Sequence, residues 1–252
     1  MRKHSSTATP HDRDGPDPSR FVPRPTRSRA VLTGAPDRSA ELRARLRRRL
    51  AGTCVVSDGP ASLAGLPPGR SEQYRHLLPR APTAAAVLIP IIDRPEGLTV
   101  LLTERARDLR HHPGQIAFPG GRVEADDDGP VAAALRESRE EIGLAAVCVE
   151  VLGFLPDQLV LTGYRVTPVV GLVHPDLSLR IDPTEVAAVF EVPLAFVLDT
   201  ANHRLRSRPL GGGLVDVYEM PYGDHHIWGA TAGMLTSLAR LVGAADDEGT
   251  QR

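Results

Sequence analysis

Three glutamates within five residues, Glu137, Glu140 and Glu141, are the side chains best suited to chemistry in this chain. They lie in Val-Ala-Ala-Ala-Leu-Arg-Glu-Ser-Arg-Glu-Glu-Ile, residues 131–142. On a helix, positions i, i+3 and i+4 share a face, so the three carboxylates point the same way. Like charges at that spacing repel. They also sit toward the C-terminal end of the helix, where the dipole disfavours anions. Each mismatch costs from a few tenths to about 1 kcal/mol. Arg136, one turn from Glu140, offsets part of that cost. Local rules broken in this way are what a functional site shows. Carboxylates on a rigid helix suit a hard dication, Mg²⁺ or Mn²⁺, which takes carboxylate and water oxygens and keeps room for substrate phosphates. Such ions bridge phosphate oxygens and activate a water. Taken alone, the helix also reads as a solvated acidic stripe, and its context decides between the two. Just ahead stand Phe118-Pro119-Gly120-Gly121-Arg122-Val123-Glu124, whose glycines permit close approach of backbone to a ligand. Asp126, Asp127 and Asp128 follow as N-cap candidates.

A basic set flanks the acidic one: Arg105, Arg110, His111, His112 and Arg122. Cations beside a metal site suit a substrate with several phosphates, the metal handling the diphosphate and the guanidinium groups an outlying phosphate. Arg105 and Arg110 lead this set, ahead of the histidines. His111 and His112 are adjacent and do not serve one metal together, so zinc is set aside. Gly211-Gly212-Gly213 lacks the Lys-Ser/Thr of a phosphate loop and reads as a flexible hairpin tip. His225 and His226 read as closing a turn, and Trp228 as core. No nucleophile constellation surrounds a serine or cysteine.

These groups need a scaffold. Residues 1–37 are rich in Pro, Ser, Thr, Asp and Arg and bury too little apolar surface to offset the entropy of ordering, which predicts a disordered basic tail. A helix is predicted from Asp37 or Ser39, with Leu42, Leu46 and Leu50 at helical spacing and Gly52 as the stop. Arg47, Arg48 and Arg49 fall in its last turn, where cations are favoured. Residues 57–83 read as loop, so 38–81 form a helix and linker. The compact part spans 82–244, with 245–252 a second tail. Ala84–Ile92 is an almost continuous apolar run, as in a strand buried on both faces. A turn and the strand Leu98–Thr103 complete a hairpin. The helix Pro130–Ile142 has Pro130 at its start and Gly143 past its end. Strands follow at 147–154 and 166–173. A short helical turn is predicted at 183–190, another helix opening at Pro193-Leu194, a strand at 215–220 and a final helix at 228–242.

Composition sets bounds. The 252 residues suffice for one sizeable domain with tails, or for two small domains. No run of 18 apolar residues predicts a membrane span, and the basic N-terminus lacks the apolar stretch of a signal peptide. Cys54 and Cys148 form no disulfide framework and read as small buried hydrophobes in a reduced cytosol, so the expected location is cytoplasmic. The formal charge of −1 hides an asymmetry: residues 1–50 hold 13 Arg+Lys against 5 Asp+Glu, a net +8. Such an arm can meet an acidic partner, but a solvated tail is the favoured reading and nucleic acid is not expected.

The string from Gly121 through Arg136-Glu137-Ser138-Arg139-Glu140-Glu141-Ile142-Gly143-Leu144 resembles the Nudix box: Gly, five residues, Glu, seven residues, then Arg-Glu-U-x-Glu-Glu-x-Gly-U, with U a bulky aliphatic. Ser138 stands where U is expected, and the middle acid is Asp127 or Asp128, offset by one residue in either case. Upstream, Leu101-Leu102-Thr103-Glu104-Arg105, Leu109-Arg110, His112, Gly114-Gln115 and Phe118 to Arg122 resemble the signature of coenzyme A pyrophosphatases within that family. Thr162-Gly163-Tyr164, Val166 to Gly171, Glu185-Val186, Val192-Pro193-Leu194 and Ile227 to Ala232 resemble the same group, so the likeness covers about 82–242.

The resemblance implies an α/β Nudix fold, a mixed β-sheet sandwiched between α-helices. It implies Glu137 and Glu141 as principal Mg²⁺ or Mn²⁺ ligands and Glu140 as a further ligand or the base. Arg136 would orient them, the Gly121 carbonyl is within reach of the metal, and Glu185 is an added carboxylate. Arg105, Arg110, Arg122 and His112 would bind substrate. The implied reaction is hydrolysis of coenzyme A or an acyl-CoA to adenosine 3′,5′-bisphosphate and 4′-phosphopantetheine or its acyl form. Another diphosphate, such as an ADP-sugar or a dinucleotide, stays open, as does a non-enzymatic nucleotide sensor. A small-molecule substrate and no membrane are expected, with oligomeric state open, a homodimer included.

Overall fold

A computed structural model describes residues 38–55, 62–67, 81–109, 111–210 and 213–243. The tails expected at 1–37 and 245–252, the cap at Asp37, the tip at Gly211-Gly212 and Arg110 lie outside them. Two strands carry the centre. The apolar run forms β2, Thr83–Arg94, and pairs antiparallel with β3, Gly97–Arg105, across a tight turn. Side chains of a strand alternate between faces, so the run feeds two cores at once: Ala85, Ile89 and Ile91 face one, Ala86, Leu88 and Ile92 the other. The parallel partner of β2 is β8, Tyr164–Val173. Outside β8 lie β6, Val149–Phe154, and β7, Gln158–Val160, and β7 pairs with β1, Ser62–Leu63. The stretch predicted as loop at 57–83 therefore contains a two-residue strand.

On the other side, β3 pairs with β4, Ile116–Ala117, and β9, Val186–Pro193, while β5, Gly120–Arg122, pairs with β2. β9 corrects the helical turn predicted at 183–190. Its buried residues Val186, Val189 and Val192 recur every three positions, which mimics a helix. A register shift opposite Glu104 and Arg105 breaks the alternation, and pairing with β3 overrides the local pattern.

The sheet is mixed and lies between helices. On one face is α2, Gly129–Ile142, burying Ala133, Ala134 and Ile142. On the other are α1, Arg38–Leu50, α3, Leu194–Leu198, and α4, Gly229–Gly243. Leu46 and Leu50 are fully buried, so α1 belongs to this core. A smaller antiparallel sheet joins β10, Arg204–Leu210, β11, Gly213–Tyr222, and β12, His225–Trp228.

Three local expectations change here. His225 and His226 open a strand instead of closing a turn, and α4 starts one residue after Trp228. Trp228 is half-buried, with the Arg208 guanidinium 4.7 Å from its ring centroid; Arg208 is itself held by the buried Glu219. Cys54 is exposed and Cys148 only partly buried, and both are free. No helix among the described residues is long and apolar enough to cross a membrane.

Candidate active site

The three glutamates of α2 part company once the helix is packed. Glu141 is 3 % exposed, Glu137 is half-buried, and Glu140 stands at the rim. Opposite them runs β5, whose pairing with β2 aligns Ala86 with Gly121 and Val87 with Gly120. A Cβ on Gly121 would lie 2.5 Å from Glu137 Cδ and 2.8 Å from its Oε2, so only glycine leaves room for that carboxylate. The Gly120 backbone N–H lies near the Glu141 carboxyl and favours its charged form.

Electrostatics follow from this crowding. Burial pushes Glu141 up to about 8; the Arg105 guanidinium, with Nη1 4.0 Å from Glu141 Oε1, opposes it, while Glu185 and Glu137 push the same way as burial. Burial also raises Glu137, opposed by Arg136 and assisted by Glu140 and Glu185. Glu185, an exposed residue at the foot of β9, thus faces both Glu137 and Glu141. Three carboxylates of two elements, two on α2 and one at the β9 foot, crowd together, and the guanidiniums of Arg105 and Arg136 only partly offset the raised proton affinity of Glu141 and Glu137.

Arg136 is the keystone. Its Nε and Nη2 donate to the two oxygens of Asp127 at 3.0 Å each, and its Nη1 donates to Glu137 Oε1 at 2.9 Å and Glu140 Oε2 at 3.1 Å. Nη2 also donates to the carbonyl of Arg122 at 3.0 Å, tying the helix to β5. Asp127, not Asp128, therefore holds this arginine. Arg136, with a further bond from the Glu124 N–H, keeps the Asp127 carboxyl below its usual range. Asp128 occupies the N-cap position but makes no side-chain cap. Ser138, where an aliphatic residue is expected, is fully buried and donates to the Ala134 carbonyl at 2.6 Å, so its hydroxyl is satisfied within the helix.

The expected substrate cations are dispersed. Arg105 lies against Glu141, and its buried Nε has no hydrogen-bond partner. Arg122 donates to the Tyr164 hydroxyl at 3.1 and 3.3 Å, a pairing with no sequence signal. His112 adopts φ +57° and pairs through Nδ1 with Gln115 Oε1 at 2.9 Å. The neck of this loop is closed by Arg105 N–H to Gln115 O at 3.0 Å and Gly114 N–H to Arg105 O at 3.1 Å.

Among the described residues no three His, Cys, Asp or Glu side chains stand ready around one point. The donor chemistry nevertheless fits a hard dication. Glu141 is buried, Glu137 half-buried against a glycine whose missing side chain leaves room for its carboxylate, and Glu185 exposed beside them, and their mutual repulsion is what a dication relieves. The metal-free protein should therefore lose stability as pH rises. A folded-state pKa raised from 4.5 to about 8 gives stability that is complete below 4.5 and is lost as pH passes 8. In EDTA, the melting temperature is expected to fall by about 2–4 °C for each kcal/mol lost between pH 6 and 8.5. Glu141→Gln should flatten that slope. An equal slope in the variant would show that Glu141 is not its source.

Comparison with known proteins agrees with this layout. The NUDIX domain family model matches residues 82–210. The protein called uncharacterized Nudix hydrolase NudL from Escherichia coli (strain K12 / DH10B) is 48% identical over 164 residues, covering 63% of this chain and 82% of its own. Among solved structures, a Nudix hydrolase from M. smegmatis, RenU, is 27% identical with TM-score 0.40, covering 47% of this chain and 75% of its own. A C. elegans Ap4A hydrolase complex is 17% identical with TM-score 0.39, covering 44% and 80%. The family match spans half of the chain, and the chain covers most of NudL. Together they show that this chain belongs to the NUDIX domain family and is a Nudix hydrolase.

Proposed function

We propose that this chain hydrolyses the diphosphate of coenzyme A or an acyl-CoA, yielding adenosine 3′,5′-bisphosphate and 4′-phosphopantetheine or its acyl form. The observation that carries the hydrolase reading is the apposition of Glu137 to Gly121 and of Glu141 to Gly120 across α2 and β5, with Arg136 fixing both elements. Coenzyme A is supported by the string from Leu101 to Arg122, which resembles the coenzyme A pyrophosphatase signature.

Glu137 and Glu141 would hold Mg²⁺ or Mn²⁺, with the Gly121 carbonyl, Glu140 and Glu185 as further oxygens. The bound ion supplies neutralisation of phosphate charge and a more acidic water. The chain's own groups do the rest. Arg136 fixes Glu137 and Glu140 before substrate arrives, so they need no reorganisation at the moment of reaction. Arg105, whose Nη1 lies 4.0 Å from Glu141, would meet a phosphate oxygen. A water oxygen bonds to one phosphorus as the bridging P–O bond breaks, and a carboxylate of the glutamate set takes the water's proton.

The test is a mass-spectrometric product assay on coenzyme A, ADP-ribose and NADH, with and without Mg²⁺ or Mn²⁺. Metal-dependent conversion of coenzyme A to the two named products is expected. Turnover of ADP-ribose or NADH alone would overturn the substrate, and turnover of none would overturn the reaction.

A further inference from the structure

A cavity of about 440 Å³ opens at the C-terminal end of α2, lined by Arg139, Glu140, Gly143, Arg180, Asp182 and Pro183. Its two arginines come from different elements, α2 and the loop before β9. Among the described residues neither guanidinium has a hydrogen bond or an ion pair, and both are exposed. Elsewhere arginines meet carboxylates: Arg94 with Glu191 at 2.6 Å, Arg165 with Asp157 at 2.7 Å, Arg208 with Glu219 at 2.5 Å. The carboxylates of the cavity itself are already engaged. Glu140 accepts from Arg136 at 3.1 Å, and Asp182 Oδ1 accepts from the Thr184 N–H at 2.9 Å and its hydroxyl at 2.7 Å. A helix C-terminus accounts for one cation at Arg139. It does not account for a second from another element facing the same space.

The walls are fixed before any ligand binds. Arg180 N–H donates to Ile142 O, and Asp182 N–H to Glu141 O, both at 2.9 Å. Gly143 has φ +70°, and a Cβ there would lie 2.8 Å from Arg180 N, so the loop sits directly against the helix end. Preset backbone lowers the ordering cost of binding. The cavity also adjoins the site: Glu140 lines it and raises the proton affinity of Glu137, and the same loop runs on to Glu185.

We infer that Arg139 and Arg180 form a second anion site, which receives a phosphate monoester that the substrate carries outside its diphosphate. The inference rests on the hydrolase reading above. Two free guanidinium groups in one cavity match a phosphate dianion, whose oxygens accept their paired donors. A molecule whose diphosphate lies over Glu137 and Glu141 would extend past Glu140 along the loop into the cavity.

The test compares coenzyme A with 3′-dephospho-coenzyme A in wild type, Arg139→Gln, Arg180→Gln and the double variant. Charge-assisted hydrogen bonds at an exposed site predict a fall of about tenfold or more in the ratio of the two kcat/KM values for the double variant, through KM. Equal losses on both substrates, or no loss, would overturn the site. Should wild type turn over neither substrate, the hydrolase reading fails and calorimetry decides the cavity on its own. Wild type should bind adenosine 3′,5′-bisphosphate more tightly than AMP, and the double variant should lose that preference. Absence of the preference in wild type, or its survival in the double variant, would overturn the inference.

Discussion

Glu141→Gln is expected to lower kcat/KM for the diphosphate substrate by about 10³-fold, in the range seen when a positioned acid or base is removed. The amide keeps the size and the burial of the side chain but cannot carry charge. Glu141 is 3 % exposed, and its neighbours are Arg105, Glu137, Glu185 and the Gly120 N–H. Keeping a carboxylate there opposes desolvation and two like charges at once. A structural role would be better served by the amide, which is neutral at every pH. The variant should therefore be as stable as wild type or more stable at pH 8 while losing activity. A variant with more than a tenth of wild-type activity would remove Glu141 from the mechanism. One that loses activity only because it unfolds would remove the electrostatic argument.

The second large effect is expected from Gly121→Ala, at about 10²-fold in kcat/KM, the cost of displacing a catalytic group by roughly 1 Å. The new methyl would overlap the Glu137 carboxylate, coming within 2.5 Å of Cδ. Neither backbone can retreat easily: β5 is held by its register with β2, and α2 by fully buried Ala133 and Ala134. What gives way is the far end of Glu137, a flexible side chain. Activity and stability should therefore separate, with the melting temperature close to wild type. Activity within threefold of wild type would show that the carboxylate need not lie against Gly121.

Much of this arrangement is legible in the chain before folding. The box helix announces itself through charges that a stable surface would avoid, and the hairpin through an apolar run too continuous for a strand with one wet face. What escapes has physical reasons. β10 reads Arg-Leu-Arg-Ser-Arg-Pro-Leu, and its partners supply what its own residues do not announce. β9 hides behind a three-residue recurrence created by a register shift in its neighbour. The clamp of Asp127 on Arg136 depends on how a turn folds back over nine residues. Arg139 and Arg180 become neighbours only because Gly143 brings the loop onto the helix end. Trp228 and the cysteines were read from residue type alone, and type says little about which side of a strand or turn a residue occupies.

The closed neck of the loop after β3 has a bearing on how such a catalyst can diversify. Its two backbone bonds, Arg105 to Gln115 and Gly114 to Arg105, seal the segment at its base. Ala106, just inside the neck, is buried and donates its N–H to the Glu185 carbonyl at 2.8 Å, so it is the residues after Ala106 that can change in number and kind without passing strain to β3. The segment has the build of an exchangeable cassette mounted on the hairpin of β2 and β3. If the coenzyme A proposal holds, transplanting it between relatives should redirect substrate choice while diphosphate hydrolysis itself persists.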